Sequence, residues 1–252
     1  MSITTRSQFR QVADVIRQRI AAGDYLAGSV LPKEDDLARD LGVTRPTVNN
    51  ALKVLEAEGL VRAIRGRGTL VRELPPIVRN AQARYATSHR ERGRGAFDVE
   101  VKALGREPRV EVRIERVTPP ASVADVLGVA ADEPSAVARV RHMGADDTPL
   151  QVATSYIPLD IAAGTAIEQE DTGPGGIISR LAELGHQQVK VTERVTVRPP
   201  TNEEAAYLQM TEDQRVYEIV HTGWTATGRA VEVTFHVMPT HQWTLEYGWD
   251  LT

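Results

Sequence analysis

Residues 41–71 read "LGVTRPTVNNALKVLEAEGLVRAIRGRGTLV", and this stretch narrows the possible folds more than any other. Gly42 can close one helix, and Thr44 can open another two residues later. Pro46 then sits in the first helical turn, where a missing N–H leaves nothing unpaired. Val48, Ala51, Leu52 and Leu55 recur at helical spacing, so one side of this helix is buried. Gly59 supplies the left-handed residue that ends it. "LVRAI" and "TLVRE", joined by "RGRG", follow as a short hairpin with arginines at its tip.

The residues before this stretch complete the unit. Phe9, Val12, Ala13, Ile16 and Ile20 share one helical face over residues 8 to about 21, and Gly23 stops that helix. "KEDDLARDL" forms a second, shorter helix with Leu37, Ala38 and Leu41 inward. The order is helix, helix, tight turn, helix, hairpin, which is a helix-turn-helix with an added wing.

The polar positions of the same segment need their own reason. Thr44, Arg45, Thr47 and Asn49 all lie off the buried stripe, at the N-terminal end of the third helix. The major groove of B-DNA admits one helix, whose first residues meet base edges. Arginine pairs bidentately with guanine and asparagine with adenine, while threonine can bond phosphate or touch a thymine methyl. Any one of these residues alone would suit a solvated face. All of them together, beside a tight turn and a basic hairpin, point to double-stranded DNA. In "IRGRGT", Gly66 and Gly68 let backbone approach a duplex, and Arg65 and Arg67 can reach a minor groove or phosphates. The spacing is not that of a dinucleotide or Walker loop.

Charge agrees with this division. Residues 1–95 carry 17 Lys/Arg against 10 Asp/Glu, a net of +7, whereas the rest carries 13 against 24, a net of −11. A polyanion partner is therefore expected for the front half only. The 252 residues fit one large domain or two ordinary ones, with no cysteine for disulfide or thiolate chemistry. No apolar run approaches a membrane span, and "MSITTRSQFRQ" lacks the apolar core of a secretory signal, so a cytoplasmic protein is expected.

Residues 76–98 read as a basic linker with Arg79, Arg84, Arg90, Arg92 and Arg94. From residue 99 the pattern alternates. "VEVKAL", "RVEVRIERV", "SAVARVRHM", "LQVATSYIP", "VKVTERVTVR", "RVYEIVHTGW" and "AVEVTFHVM" read as strands. "SVADVLGV", "GGIISRLAELG" and "TNEEAAYLQM" read as helices, the last capped by Thr201 or Asn202. Turns such as "TATGRA" favour an antiparallel sheet with helices to one side. Arg139 and Arg141, two apart on a strand, point to one face and suit an anionic group; a surface ion-pair ladder has the same spacing. Trp224 and Trp243 can line a pocket, although aromatics in a sheet domain are more often core. "TGPGG" can open an anion site at a helix N-terminus or simply cap the helix. The six histidines show no metal-ligand spacing, and no motif calls for a cofactor.

At residues 12–71 the chain resembles the GntR family of bacterial transcription regulators. The shared features are "G-x-x-L-P" with Glu34, "GVTR-x-T" at 42–47, "AL-x-x-LE-x-EGL" and "G-x-GT". The resemblance implies operator contacts from Arg45, Thr47, Gly66 and Gly68, with Thr69 beside them. Asn49 stands where the family usually has arginine, and Lys33-Glu34-Asp35 stands where it often has "SER", so Lys33 takes over a basic contact. The expected DNA-binding residues are thus Lys33, Thr44, Arg45, Thr47, Asn49, Arg65, Gly66, Arg67, Gly68 and Thr69.

Residues 99 to about 250 are similar to the UTRA effector domain of the HutC branch, whose fold resembles chorismate lyase. "ARVRHMGADDTPLQVATSYIP", "GPGGIISRLAELGH", "RPPTNEEAAYLQM" and "GRAVEVTFHVMP" carry this likeness. It implies an effector pocket that uses Arg139, Arg141, Ser155 and Glu232, with His221 where an arginine often stands. Ala153 replaces the usual glutamate before "SY-x-P", and "MPTHQW" replaces "YRGDRY".

The expected fold is α+β: a winged helix-turn-helix at 1–75, the linker, and an antiparallel-sheet α/β effector and dimerisation domain at 99–252. The expected function is a dimeric repressor on a near-palindromic DNA operator, modulated by a small-molecule effector. Two alternatives compete: a chorismate-lyase-like enzyme fused to a DNA-binding head, and a constitutive plasmid or chromosome control protein without an effector.

Overall fold

The computed structural model describes residues 7–64, 66–72, 76–85, 96–211 and 213–249. Contacts divide the chain into Met1–Pro76 and Ile77–Thr252.

The first unit contains α1 (Gln8–Ala22), α2 (Glu34–Asp40), α3 (Arg45–Ala57), β1 (Val61–Ile64) and β2 (Gly68–Val71). Its core is the predicted set. Val12, Ala13 and Ile16 of α1 meet Leu37 and Ala38 of α2, and Val48, Ala51, Leu52 and Leu55 of α3. Val61 and Val71 close the core from the hairpin, where they face each other in register. Each such aliphatic side chain contributes about 1.5–3 kcal/mol on leaving water. Gly23, with φ 84°, ends α1 as expected. Thr44 occupies the N-cap position of α3, but its hydroxyl pairs with that of Thr47 (2.9 Å) instead of capping a backbone N–H.

The second unit is built on a six-stranded antiparallel sheet of order β4-β5-β6-β9-β8-β7. Its strands are β4 (Pro108–Val117), β5 (Ala136–Ala145), β6 (Thr148–Pro158), β7 (Lys190–Arg198), β8 (Val216–Trp224) and β9 (Ala230–Pro239). Short helices are α4 (Ala81–Tyr85), α5 (Ala96–Lys102), α6 (Ala121–Leu127), α7 (Leu159–Ala162), α8 (Gly176–Glu183) and α9 (Asn202–Leu208). Thr201 caps α9 in a reciprocal box with Glu204. No helix among the described residues is long and apolar enough to cross a membrane.

Three expectations change here. Helices cover both faces of the sheet, not one. Val123 and Leu127 of α6 pack on Tyr156, Val233 and Phe235, while Ile177 and Leu181 of α8 pack with Val137 and Ile157 on the opposite face. "VEVKAL" belongs to helix α5 rather than a strand, because Phe97 and Val101 are spaced i, i+4 and both are buried. The stretch expected as a linker is not all tether. Residues Ile77–Asn80 form β3, which pairs in parallel with β10 (Trp243–Glu246). Arg79 is fully buried there, held by both carboxylate oxygens of Glu193 on β7. Its charge had suggested a solvated tether, and the long-range partner explains why it lies inside. Residues 86–95 lie outside the described residues.

Candidate functional site

Two surfaces carry the sequence-predicted residues, one in each unit. In the first unit, the N-terminal end of α3 is exposed at Thr44, Arg45 and Pro46 and partly exposed at Thr47 and Asn49. Glu34, at the start of α2, organises it. One carboxylate oxygen accepts from Arg45 Nε (2.9 Å) and the other from Asn49 Nδ2 (3.1 Å). Those two donors hold the Glu34 carboxyl below its usual range, against slight burial. Arg45 Nε also stands 3.6 Å from Asp35 Oδ1, and a guanidinium's terminal amino groups form a fork suited to two acceptors. Lys33 is exposed beside this group.

The hairpin tip presents Gly66, Arg67 and Gly68, all exposed, followed by Thr69. Gly68 has φ 100°, and a Cβ there would come within 3.0 Å of Val30 Cγ1, so glycine is required on two grounds. Arg65 lies outside the described residues.

In the second unit, the register brings the predicted residues into one row. Arg139 faces Ser155, Ser155 faces Thr234, and Thr234 faces His221 across β5, β6, β9 and β8. Side chains alternate along a strand, so Arg141, Glu232 and His236 share that face with them. Arg141 Nη2 donates to Ser155 Oγ (2.7 Å). Ser155 and Thr234 share a hydroxyl–hydroxyl bond (2.6 Å), and Thr234 donates to Glu232 Oε1 (2.8 Å). His221 Nε2 stands 3.9 Å from Glu232 Oε2.

Electrostatics separate these groups. Burial lowers the Arg141 guanidinium to about 10, with Arg139 and Arg84 adding to the effect and Glu232 opposing it. Its Nε is buried and has no hydrogen-bond partner among the described residues. Burial acts to raise the Glu232 carboxyl, but His221, Gln188, Thr234 and Arg141 outweigh it and leave it below the usual range. Burial also lowers His221, against the pull of Glu232 and Glu193.

The arginine pair divides. Arg139 is buried and donates to the backbone carbonyls of Ile167 (2.6 Å), Gln169 (2.5 Å) and Glu170 (3.0 Å). It ties a loop to the sheet, whereas Arg141 faces the hydroxyls and Glu232. Trp243 is buried, with its indole N–H on the Leu150 carbonyl (3.0 Å), and Trp224 packs with Val123 and Leu127 on the opposite face. In "TGPGG", the Gly173 N–H is taken by the Asp171 carboxylate (2.8 Å), and the helix that follows has no side-chain cap.

Sequence reasoning missed Thr234, His236 and Gln188. The first two follow Glu232 at two-residue steps, so strand alternation alone would have found them. Gln188 reaches Glu232 Oε2 (2.9 Å) from outside the strands, and only its packing over Gly223 reveals it.

Comparison with known proteins identifies the two domains. Residues 8–71 match the gntR family of bacterial regulatory proteins, and residues 103–243 match the UTRA domain. The chain is 33% identical to the HTH-type transcriptional regulator SCO4628 of Streptomyces coelicolor, over 91% of this chain and 88% of that protein. It is 24% identical to the HTH-type transcriptional repressor NagR of Bacillus subtilis, over 89% and 87%. PhnF from Mycobacterium smegmatis shares the fold, with a TM-score of 0.59 and 20% identity over 96% of this chain and 99% of that one. This chain belongs to the GntR family of transcription regulators, which are not enzymes, and carries a gntR DNA-binding domain followed by a UTRA effector-binding domain.

Proposed function

We propose that the chain is a cytoplasmic homodimeric repressor of a near-palindromic operator, released by a small anionic effector. Residues 1–76 read the DNA. Arg45 takes guanine through its terminal amino groups, and Asn49 takes adenine in the same half-site. Lys33, Thr44, Thr47, Arg65, Arg67 and Thr69 meet phosphates or the adjoining groove, and Gly66 and Gly68 admit the backbone to it. The observation that carries this reading is Glu34 holding Arg45 and Asn49 side by side at the end of α3.

The effector binds in the second unit on the face of Arg141, Ser155, His221 and Glu232. Arg141 is the anion receptor, because its buried Nε has no hydrogen-bond partner among the described residues. Arg139 is a positioning residue that holds the loop at 167–170. A relative named as a repressor supports the sign of regulation. Effector release of DNA requires that the two states differ in effector affinity.

Selection of genomic fragments by the purified chain tests the whole reading. The expected product is a two-fold symmetric site whose binding weakens with an anionic metabolite of the neighbouring genes. An asymmetric single half-site, or binding indifferent to every metabolite tried, would count against it.

A further inference from the structure

The six-stranded sheet has two edges, β4 and β7. A long edge normally carries a bulge, an inward charge or an internal proline, because its unpaired N–H and C=O groups template another strand. β4 has ten residues in unbroken register with β5, from Pro108↔Ala145 to Val117↔Ala136, and its proline is the first residue. Among the described residues, no strand pairs with its outer side.

The backbone parity of this edge follows from one bond. Asp146 N–H donates to the Glu107 carbonyl (2.9 Å). Residues in an antiparallel ladder bond alternately to one side and the other. Odd-numbered residues of β4 therefore bond to β5, and Val110, Val112, Ile114 and Arg116 turn their backbone groups to the free edge. Side chains alternate in step. Val110, Val112 and Ile114 share one face, and Arg109, Glu111, Arg113 and Glu115 share the other. Val110 is 42% exposed.

We propose that β4 pairs antiparallel with β4 of a second copy of this chain, about a two-fold axis at Val112. The proposal rests on the homodimer reading above and places its interface. Outward backbone groups then meet outward backbone groups. Val112 opposes itself, Val110 opposes Ile114, Arg109 opposes Glu115, and Glu111 opposes Arg113. Symmetry repeats each unlike pair, so one face of the junction is a ladder of opposite charges. Moving the axis to Arg113 sets Arg113 against itself and Glu111 against Glu115. Moving it to Glu111 sets Glu111 against itself and Arg109 against Arg113. Unlike charges directly opposite stabilise a pair and like charges destabilise it, so β4 selects one register. β7 has no such code: centred on Arg194, it would set Lys190 against Arg198 and Arg194 against itself. A groove of about 720 Å³ between Val112–Ile114 and Glu168–Asp171 leaves room beside the β4 edge.

Sedimentation of the full chain over a range of concentrations tests this. Glu111→Arg and Arg113→Glu should each weaken the homodimer about tenfold or more, since each creates two like-charge oppositions. Mixing the two variants should restore a dimer, and so should the double variant. The chain has no cysteine, so Val112→Cys with a short bis-maleimide should give a covalent dimer. Val110→Cys should not, because its copies lie four residues, roughly 13 Å, apart along the strands. A wild-type dimer untouched by either charge reversal, with no Val112→Cys cross-link, would overturn the β4 interface and leave the homodimer standing. A monomeric wild-type chain would overturn the homodimer itself.

Discussion

Gln188 reaches Glu232 across the bare α-carbon of Gly223. The bond is 2.9 Å long, and a Cβ on Gly223 would fall 2.3 Å from the Gln188 amide carbon. Glycine here makes room for a side chain rather than for a turn. Gly223→Ala should push the amide aside while β8 and β9 stay paired. We expect a stability change within about 1 kcal/mol and a roughly tenfold loss of effector affinity. Gln188→Ala should reproduce that loss. Calorimetric titration with the identified effector checks both, and wild-type affinity in Gly223→Ala would remove Gln188 from the site.

Glu34 should set specificity rather than total affinity for DNA. Glu34→Ala frees Arg45 and Asn49 and removes a negative charge from the surface. Specific binding should fall about three- to tenfold, because two side chains lose their shared anchor. Non-specific binding should rise slightly, as expected for one fewer anion near phosphate. Fluorescence anisotropy on the selected operator and on a scrambled duplex, at matched salt, gives the ratio. An unchanged ratio would deny Glu34 any positioning role.

The two arginines of β5 should fail in different ways. Arg139→Ala leaves the carbonyls of Ile167, Gln169 and Glu170 without their shared donor, and should lower stability by about 2–4 kcal/mol. Arg141→Ala should melt much closer to wild type, because it removes a buried charge whose desolvation Glu232 only partly offsets. Its effector response should be lost, with operator affinity unchanged. Equal stability losses in the two variants would mean that both arginines are structural.

Glu168 gives a pH signature in the same loop. The Arg116 side chain and the Gly164 N–H hold its carboxyl down to about 2, from an ordinary value of 4.5. A folded value below the unfolded one adds stability above 4.5 that is lost as pH falls toward 2. The Tm gap between wild type and Glu168→Gln should be present at pH 5 and should close as the pH approaches 2. A gap independent of pH would show that the carboxylate contributes nothing.

The sequence revealed structure wherever local periodicity and capping chemistry agreed. The stripe of Val48, Ala51, Leu52 and Leu55 determined both the buried side of α3 and, by elimination, its polar side. Thr201 or Asn202 marked the start of α9, and the structure assigns the cap to Thr201. Strand alternation placed Arg139 and Arg141 on one face, and the resemblance to UTRA domains added Ser155 and Glu232. The misses share a cause, which is dependence on distant residues. β3 is a strand because β10 and Glu193 lie 114 or more residues away in sequence, and a basic stretch does not announce such partners. α5 was misread because valines at 99 and 101 alternate, while the decisive spacing is Phe97 to Val101. Gln188 has no strand pattern, and the cue to it is the missing side chain of Gly223. The separation of Arg139 from Arg141 depends on three loop carbonyls, which no side-chain pattern encodes.

The central claim is that α3 reads DNA sequence through Arg45. Its most direct test is the affinity of full-length wild type and Arg45→Ala for the selected operator, titrated alongside a scrambled duplex. Arg45→Ala should bind the operator about 100-fold more weakly, because a dimer loses one guanine contact in each half-site at roughly 1–3 kcal/mol apiece. Binding to the scrambled duplex and the melting temperature should barely move. If Arg45→Ala keeps its preference for the operator, the recognition surface lies elsewhere and the account fails.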